Sequence, residues 1–598
     1  MSAIVAGLLL VSVACGGTAA EPVVVEKEVI TEVLKEVVVE KEVIKEVPKE
    51  VVVIQEVVKE VEVIKEVIKY KEVAVAVPAP QAVSPAEVPK PNYGGILALA
   101  QTSDPPTFDP HATSFSLLTN HVHLTHNRVI RFKSLAWPEN AQYGDLTFFP
   151  DLAESWEIDD SGTVFTFKLR EGVRWHNQEP INGRELTSED VKLSWKRMNE
   201  DSSRFSGFYD GLVSIETPDK YTVVQTIDRP LASWLYRVAD GEAAWITNQD
   251  FVDSKGADFG VAQDSLVGTG PFLYGKEEPG SRYTYLRNPD YFEQPYPYLD
   301  EIQWYVIPDR SARDAAFVSR QIHYYQPTKA QDFERIQKAL PDVSKRQTTG
   351  LANTTSALMF NMELPKWQDV KVRQAVKYAV NNDRVIQDLY NGQGKYNGCI
   401  PTALRGFSLE QDELRELYQY DPEKSKALLA EAGFAPGEFK FEIMTFTGYN
   451  QDNQDIAVMR QADLRAAGFD VTLNPVPVGE GRATVIQGNF DTVQQPHSTG
   501  VEPDEMLGGF VPGGPRNFMK VDDPKVTQWM AQQEVEFDRD ARGAILQEFS
   551  RYCAEQVLGM IPNPARAQEQ LWQSWVRNAV IPDIASDEPD EKYIWFDR

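Results

Sequence analysis

The stretch from Pro150 to Met198, PDLAESWEIDDSGTVFTFKLREGVRWHNQEPINGRELTSEDVKLSWKRM, constrains this chain more than any other part of it. Asp159-Asp160-Ser161-Gly162 is an acid-rich turn whose glycine supplies a backbone position that other residues resist. From Thr163 to Leu169, Val164, Thr166 and Lys168 alternate with Phe165, Phe167 and Leu169. That alternation predicts a strand with one aromatic and one polar face. Gly172, Val173, Trp175 and His176 predict a second short strand. Thr187-Ser188-Glu189-Asp190 then opens a helix: a hydroxyl cap, acids in the first turn, and Val191, Leu193 and Trp195 behind them.

In their order, PDLAESW, FTFKLREGVRWH and LTSEDVKLSW resemble family 5 extracytoplasmic solute-binding proteins, the peptide/nickel receptors of ABC importers. The resemblance continues along the chain. SDPPTFDPH (Ser103 to His111) is similar to the family's opening loop. VGTGPFLYGKEEPGSRYTYLRNPDYF (Val267 to Phe292) is similar to its GTGP strand and RNPxY turn. DVKVRQAVKYAVNNDRVI (Asp369 to Ile386) and YDPEKSKALLAEAGF (Tyr420 to Phe434) are similar to two of its helices. The resemblance covers roughly residues 92–598, and five ordered motifs are far more specific than one.

The resemblance implies an α/β, two-lobed, type II periplasmic-binding-protein-like fold with an inserted third domain. The first lobe would comprise residues 92–135, 265–357 and 560–598, the inserted domain 136–264, and the second lobe 358–559. The lobes would be joined near Ser356 to Asn361 and near Gly559 to Pro564. The residues themselves agree with α/β lobes. Strand-like stretches (Gly95 to Gln101, Tyr283 to Arg287, Glu301 to Ile307, Ala357 to Asn361, Phe439 to Phe446, Val471 to Val476) alternate with helical ones (Asp369 to Ala379, Pro422 to Ala432, Asp455 to Ala467, Asp540 to Glu555).

A net charge of -29 argues against a nucleic-acid partner, because phosphate binding needs clustered Lys and Arg. The N-terminus is of another material. A short apolar run, Ile4 to Ala14, ends at Cys15 and is followed by small residues. It has signal-peptide length, and the arrangement is similar to a lipoprotein signal over residues 1–15, whose Cys15 becomes the lipidated N-terminus. From Val23 the sequence repeats with a period of fourteen, as VVVEKEVITEVLKE, VVVEKEVIKEVPKE and VVVIQEVVKEVEVI. Two heptads make a helical seam conceivable, whereas β-branched valine and Pro48 oppose it. Residues 16–77 therefore read as a stalk of open conformation, and 78–91 as a Pro/Ala spacer. Cys399 and Cys553 are a possible disulfide, with two separate buried thiols the favoured expectation.

No phosphate loop, GxSxG, HExxH or CxxC occurs, so the sequence offers no enzyme motif and no cofactor. Asp538, Asp540 and Gly543 resemble a calcium loop faintly, but Arg542 and Phe549 stand where ligands belong, and a charged helix is the expectation. His121, His123 and His126 form HVHLTH. Imidazoles suit nickel, copper or zinc, but no Cys or carboxylate neighbours them in sequence, and helix or lobe packing is the expected use.

Ligand-binding candidates come from three places. Thr107 and Phe108 lie in the opening loop. Tyr449 and Asn450 lie in TFTGYNQDN, between a strand and a helix, where cleft loops of α/β lobes lie. Gln495, His497, Thr499 and Glu502 lie in QQPHSTGVEPDEML. In peptide receptors of the family the matching stretch carries an aspartate that binds the peptide's α-ammonium. Here Thr499 stands at that position, and Glu502 or Asp504 is the nearest substitute, with loop capping the ordinary use of Glu502. The reading that results is a lipid-anchored, extracytoplasmic, monomeric receptor. It captures a small solute (peptide-like, opine- or sugar-like, or a metal chelate) by hinge closure and hands it to an ABC permease in the membrane. The alternative is a cell-surface interaction protein that keeps the fold without transport.

Overall fold

The computed structural model describes residues 31–36, 61–66 and 90–598, less the segments 113–115, 133–146, 201–202, 204, 206–207, 242, 328–329, 349–354, 448–450, 499–501, 515, 567 and 580–590. The chain divides into two units, Met1–Val88 and Pro89–Arg598. In the first, Thr31–Glu36 pairs antiparallel with Val61–Glu66. Of the conformations open to the repeat, these residues adopt the extended one that β-branched valine prefers.

In the second unit one sheet has the order Phe272–Glu278, Arg282–Arg287, Glu301–Val306, Ile96–Gln101, antiparallel except for the last, parallel pair. Leu97, Leu99, Tyr285 and Ile302 share a core with Trp572, Val576 and Phe596 from the far end of the chain. The strand Gln568–Trp572 also lies between Tyr324–Tyr325 and Ser344–Thr348. The C-terminal segment thus completes the body that the strand Ile96–Gln101 begins.

Between those segments sits a separate antiparallel sheet, in the order Ala153–Ile158, Val164–Leu169, Thr222–Ile227, Leu212–Asp219. Its first turn follows the sequence. Gly162 has φ +68°, its N–H donates to the Asp159 carbonyl, and the Asp159 carboxylate accepts from the N–H groups of Thr163 and Val164. Phe165, Phe167 and Leu169 are buried. Thr187 caps the helix Ser188–Met198, with the Asp190 carboxylate accepting from the Thr187 N–H at 2.8 Å. The short strand expected at 172–176 does not form. Only Arg174 bridges to Glu185, and the flanking N–H groups go separately to Arg184 and Gly268 carbonyls, which breaks a regular ladder.

The other large sheet has the order Asp470–Pro477, Lys440–Thr447, Thr492–Ser498, Thr355–Phe360, Met560–Pro562. The first three strands are parallel and the last two joints antiparallel. Trp367, Val376 and Leu464 lie in the core on one side of it. Cys399 and Cys553 are joined in a disulfide, correcting the expectation of separate thiols. Their 154-residue separation in sequence gave no means of seeing them as neighbours. The helix Trp234–Val238, which follows this sheet in the chain, reaches the 502–542 region: Ala232 N–H donates to the Glu534 carbonyl, and the Arg542 guanidinium lies 5.8 Å from the centre of the Tyr236 ring.

Candidate functional site: a polar rim at the strand ends

From Lys440–Thr447 the chain passes through the helix Gln451–Ala466 to the neighbour on one side, Asp470–Pro477. It returns through Val478–Ile486 to the other neighbour, Thr492–Ser498. Right-handed crossovers in opposite directions put the two helices on opposite faces. Side-chain alternation agrees: Phe441 and Ile443 share a core with Ile456 and Leu464, while Met444 and Phe446 share one with Val485. Such a reversal opens a crevice beyond the carboxyl ends of the strands, where ligands of open α/β sheets bind. Thr447, Ser498 and Pro562 end at that same edge, because the three strands run the same way.

A polar tier tops the core there. Arg460, 1% exposed, rises along its helix toward the N-terminus, as helical side chains do. Its guanidinium donates to Gln494 Oε1 at 2.9 Å and to the Pro562 carbonyl at 3.2 Å. Arginine only donates, so Gln494 must turn its oxygen to it and its Nε2 outward. That Nε2 lies 3.1 Å from Asn563 Oδ1 and 3.4 Å from Asn453 Oδ1, and Asn563 Nδ2 donates to Asn453 Oδ1 at 3.1 Å. Burial pushes Arg460 down to about 9. Beside this tier, Arg566 pairs with Asp452 at 3.4 Å in the helix's first turn.

A second charged group lies just past the rim. Glu502 accepts from the Asp504 N–H and so caps the short helix Pro503–Leu507. It also meets Arg542 at 2.5 Å, and Arg542 meets Asp504 at 3.1 Å and Gln533 at 2.6 Å. Burial pushes the Glu502 carboxyl up to about 8, with the Arg542 charge opposing and the Asp504 charge adding.

The sequence candidates scatter. Glu502 is spent on capping and on Arg542. Phe108 is buried in the first sheet's core, with its ring against His121 and Tyr283. Thr107 closes a turn, its hydroxyl donating to the Gly260 carbonyl and accepting from the Asp109 N–H. Gln495 is buried on the face opposite Gln494, with Nε2 3.7 Å from Met359 Sδ. Tyr449, Asn450, Thr499 and Cys15 lie outside the described residues, as does the side chain of His497. The described strands that precede Tyr449 and Thr499 in sequence, Lys440–Thr447 and Thr492–Ser498, end at the rim.

The imidazoles part company. His121 lies between Gln101 Oε1 and the Tyr285 hydroxyl, His126 is against the Thr125 hydroxyl, and His123 Nε2 is 3.0 Å from Glu591. A carboxylate thus does stand beside one of them, supplied from the C-terminal segment. Among the described residues no three His, Cys, Asp or Glu are placed to hold a metal. Asp538 accepts from the Ala541 N–H as the cap of the helix Arg539–Gln556, which is the helical reading of that segment.

Arg460 and Asn563 were missed by the sequence reading. An arginine in a helix reads as surface charge. Its spacing does put it on the apolar face, four residues after Ile456 and four before Leu464.

The sequence profile of "Bacterial extracellular solute-binding proteins, family 5 Middle" matches residues 147–517. The chain is 29% identical over 388 residues to the dipeptide-binding protein of Escherichia coli K12, covering 62% of this chain and 69% of that protein. It is 28% identical over 382 residues to heme-binding protein A of Haemophilus influenzae, covering 61% of this chain and 66% of that protein. The solved structure of HbpA2 from Haemophilus parasuis superposes with a TM-score of 0.73 at 22% identity, covering 84% of this chain and all (100%) of that one. The fold is the two-lobed type II periplasmic-binding-protein-like α/β fold. With the profile spanning more than half of its length, the chain belongs to the family 5 bacterial extracellular solute-binding proteins.

Proposed function

We propose that this chain is the lipid-anchored receptor of an ABC importer, capturing a small solute between its lobes and delivering it to the permease. The lobe boundaries are those given by the motifs: 92–135, 265–357 and 560–598 against 358–559, with 136–264 inserted. The two adjacent antiparallel strands Thr355–Phe360 and Met560–Pro562, at the proposed crossings, support a hinge. A ligand that touches both lobes favours the closed state by its differential contacts. Cys15 is the anchor, and the valine-rich repeat spaces the receptor from the membrane.

The ligand is proposed to lack a free α-ammonium. The observation that carries this is the commitment of Glu502 to its helix cap and to Arg542. Asp504 is held by the same guanidinium. Neither acid is left to replace the one for which Thr499 stands. A buried ammonium without a carboxylate is costly, by roughly 3–5 kcal/mol when one partner of such a pair is removed. Two relatives of near-equal identity, one named for a dipeptide and one for heme, leave the ligand class open.

Titration calorimetry against a mixed di- and tripeptide library tests this. Weak or absent binding of unmodified peptides is expected, and micromolar or tighter binding would overturn it.

A further inference from the structure

The turn between the first two strands of the inserted sheet meets the segment before the helix Arg539–Gln556 at one ring. Gly162 lies under Phe537: a Cβ there would come within 2.8 Å of the ring and 3.3 Å of the Pro230 Cβ. The glycine of the acid-rich turn thus has a second use besides its φ of +68°, since it leaves the notch that the ring fills. Beside the notch, the Ala232 N–H donates to the Glu534 carbonyl at 2.6 Å, and the Arg542 guanidinium lies 5.8 Å from the centre of the Tyr236 ring. The charges of Arg229 and Arg237 bear on Glu534 from the inserted side.

These contacts join parts of the chain that the proposed boundaries assign to different bodies, 136–264 and 358–559. Apolar packing takes the same route. Trp234 and Tyr236 belong to the buried cluster that holds Phe407, Phe510 and Phe549. The cores around Leu97 and around Phe317, in the first lobe, contain among the described residues none from 358–559. The outer part of the seam is shallow: Phe537 is 41% exposed and Val535 53%. A half-covered ring and one hydrogen bond can part as lobes swing, whereas a close-packed core resists it. None of Gly162, Pro230, Glu534 and Phe537 belongs to the polar rim.

We propose that the inserted segment clasps the second lobe at this seam, with Phe537 seated on Gly162 and Pro230 as the key, so that part of the population is closed before any solute arrives. This rests on the receptor reading and the lobe boundaries above. A contact made only in the closed state shifts the balance toward that state by its own free energy, whichever solute is bound. The clasp therefore adds to solute retention through residues outside the rim, and Phe537 acts as a positioning residue for closure.

The test is pulsed electron paramagnetic resonance on the full-length Cys15→Ala protein, which keeps no free thiol because Cys399 and Cys553 are bonded. Spin labels at Asp160→Cys and Ala544→Cys, both exposed, report the distance across the seam. Stripped of small molecules, the labelled protein is expected to show a short and a long distance. Phe537→Ser and Gly162→Asn should each lower the ratio of short to long roughly tenfold, the worth of most of a buried phenyl ring. Asparagine tolerates positive φ while carrying a Cβ that meets the ring. Both substitutions remove one contact, so the double variant should be no worse than either alone. Phe537→Leu should restore part of the ratio, and with Phe537→Ser it covers the case of a misfolded Gly162→Asn variant. A short population untouched by Phe537→Ser, or effects of the two substitutions that simply add, overturns the proposal. A stripped protein with the long distance alone, which shortens on saturation with the small molecule that co-purifies, sinks the clasp and leaves the receptor reading standing. One distance, unmoved by that molecule and by both substitutions, contradicts both.

Discussion

The Arg542 guanidinium sits 2.5 Å from the Glu502 carboxylate and 3.1 Å from that of Asp504, so one cation serves two acids inside the protein. Burial and the second acid together raise Glu502, to about 8 against an ordinary 4.5. Tyr236, Glu534 and Arg539, with Arg229 and Arg237 acting on Glu534, are the further charged and titratable groups around them.

Because the folded carboxyl titrates above the unfolded one, the folded chain keeps a proton that the unfolded chain has lost. The stability this contributes is full below about pH 4.5 and is lost as pH rises through about 8. The buried His121, His126 and His176, lowered to about 3, 3 and 4 by burial, work the opposite way and add stability as pH rises toward 6.5. The Glu502 part is therefore read as the difference in urea midpoint between the wild type and Glu502→Gln, which should move against the wild type between about pH 4.5 and 8. A slope unchanged by Glu502→Gln would assign the titration elsewhere.

Arg542→Met should be more damaging than Glu502→Gln. It strands the Asp504 carboxylate without its cation and leaves the Glu502 carboxyl, protonated below about pH 8, without its partner, a loss of roughly 3–5 kcal/mol. Chemical denaturation of the two variants side by side measures the difference. Equal losses would show that the pair contributes no more than the cap.

The Cys399–Cys553 bridge closes a long loop between the helix Arg539–Gln556 and the segment after Gly394–Lys395. Removing it should cost about 2–5 kcal/mol, by releasing loop entropy in the unfolded chain. Thermal midpoints of the oxidised protein and of Cys399→Ala/Cys553→Ala give the number. Coincident midpoints would contradict it.

If Cys15 carries the lipid, Cys15→Ala should move the protein from the membrane fraction to the soluble one. An unchanged membrane fraction after that substitution would remove the anchor from the account.

Much of the fold was legible because local and global preferences agree. The Phe165/Phe167/Leu169 face is buried as its alternation requires. Asp369, Asp421 and Asp538 cap the helices that follow them, as acids at those places should. The candidate site was less legible. Thr107 and Phe108 read as loop residues, yet the packing of His121 and Tyr283 draws Phe108 into a core. Arg460 shows the reverse. Nothing local marks it as buried, and its partners Gln494 and Pro562 lie 34 and 102 residues away. The Cys399–Cys553 pairing and the His123–Glu591 contact were hidden for the same reason, since each joins residues far apart in the chain.

The central claim is a receptor that closes on its solute. Small-angle scattering of the Cys15→Ala protein, stripped of ligand and saturated with the small molecule that co-purifies with it, tests it most directly. The account predicts a smaller radius of gyration in the saturated protein, as the lobes swing together about the strands Thr355–Phe360 and Met560–Pro562. An unchanged radius, with saturation established by calorimetry in the same buffer, would contradict it.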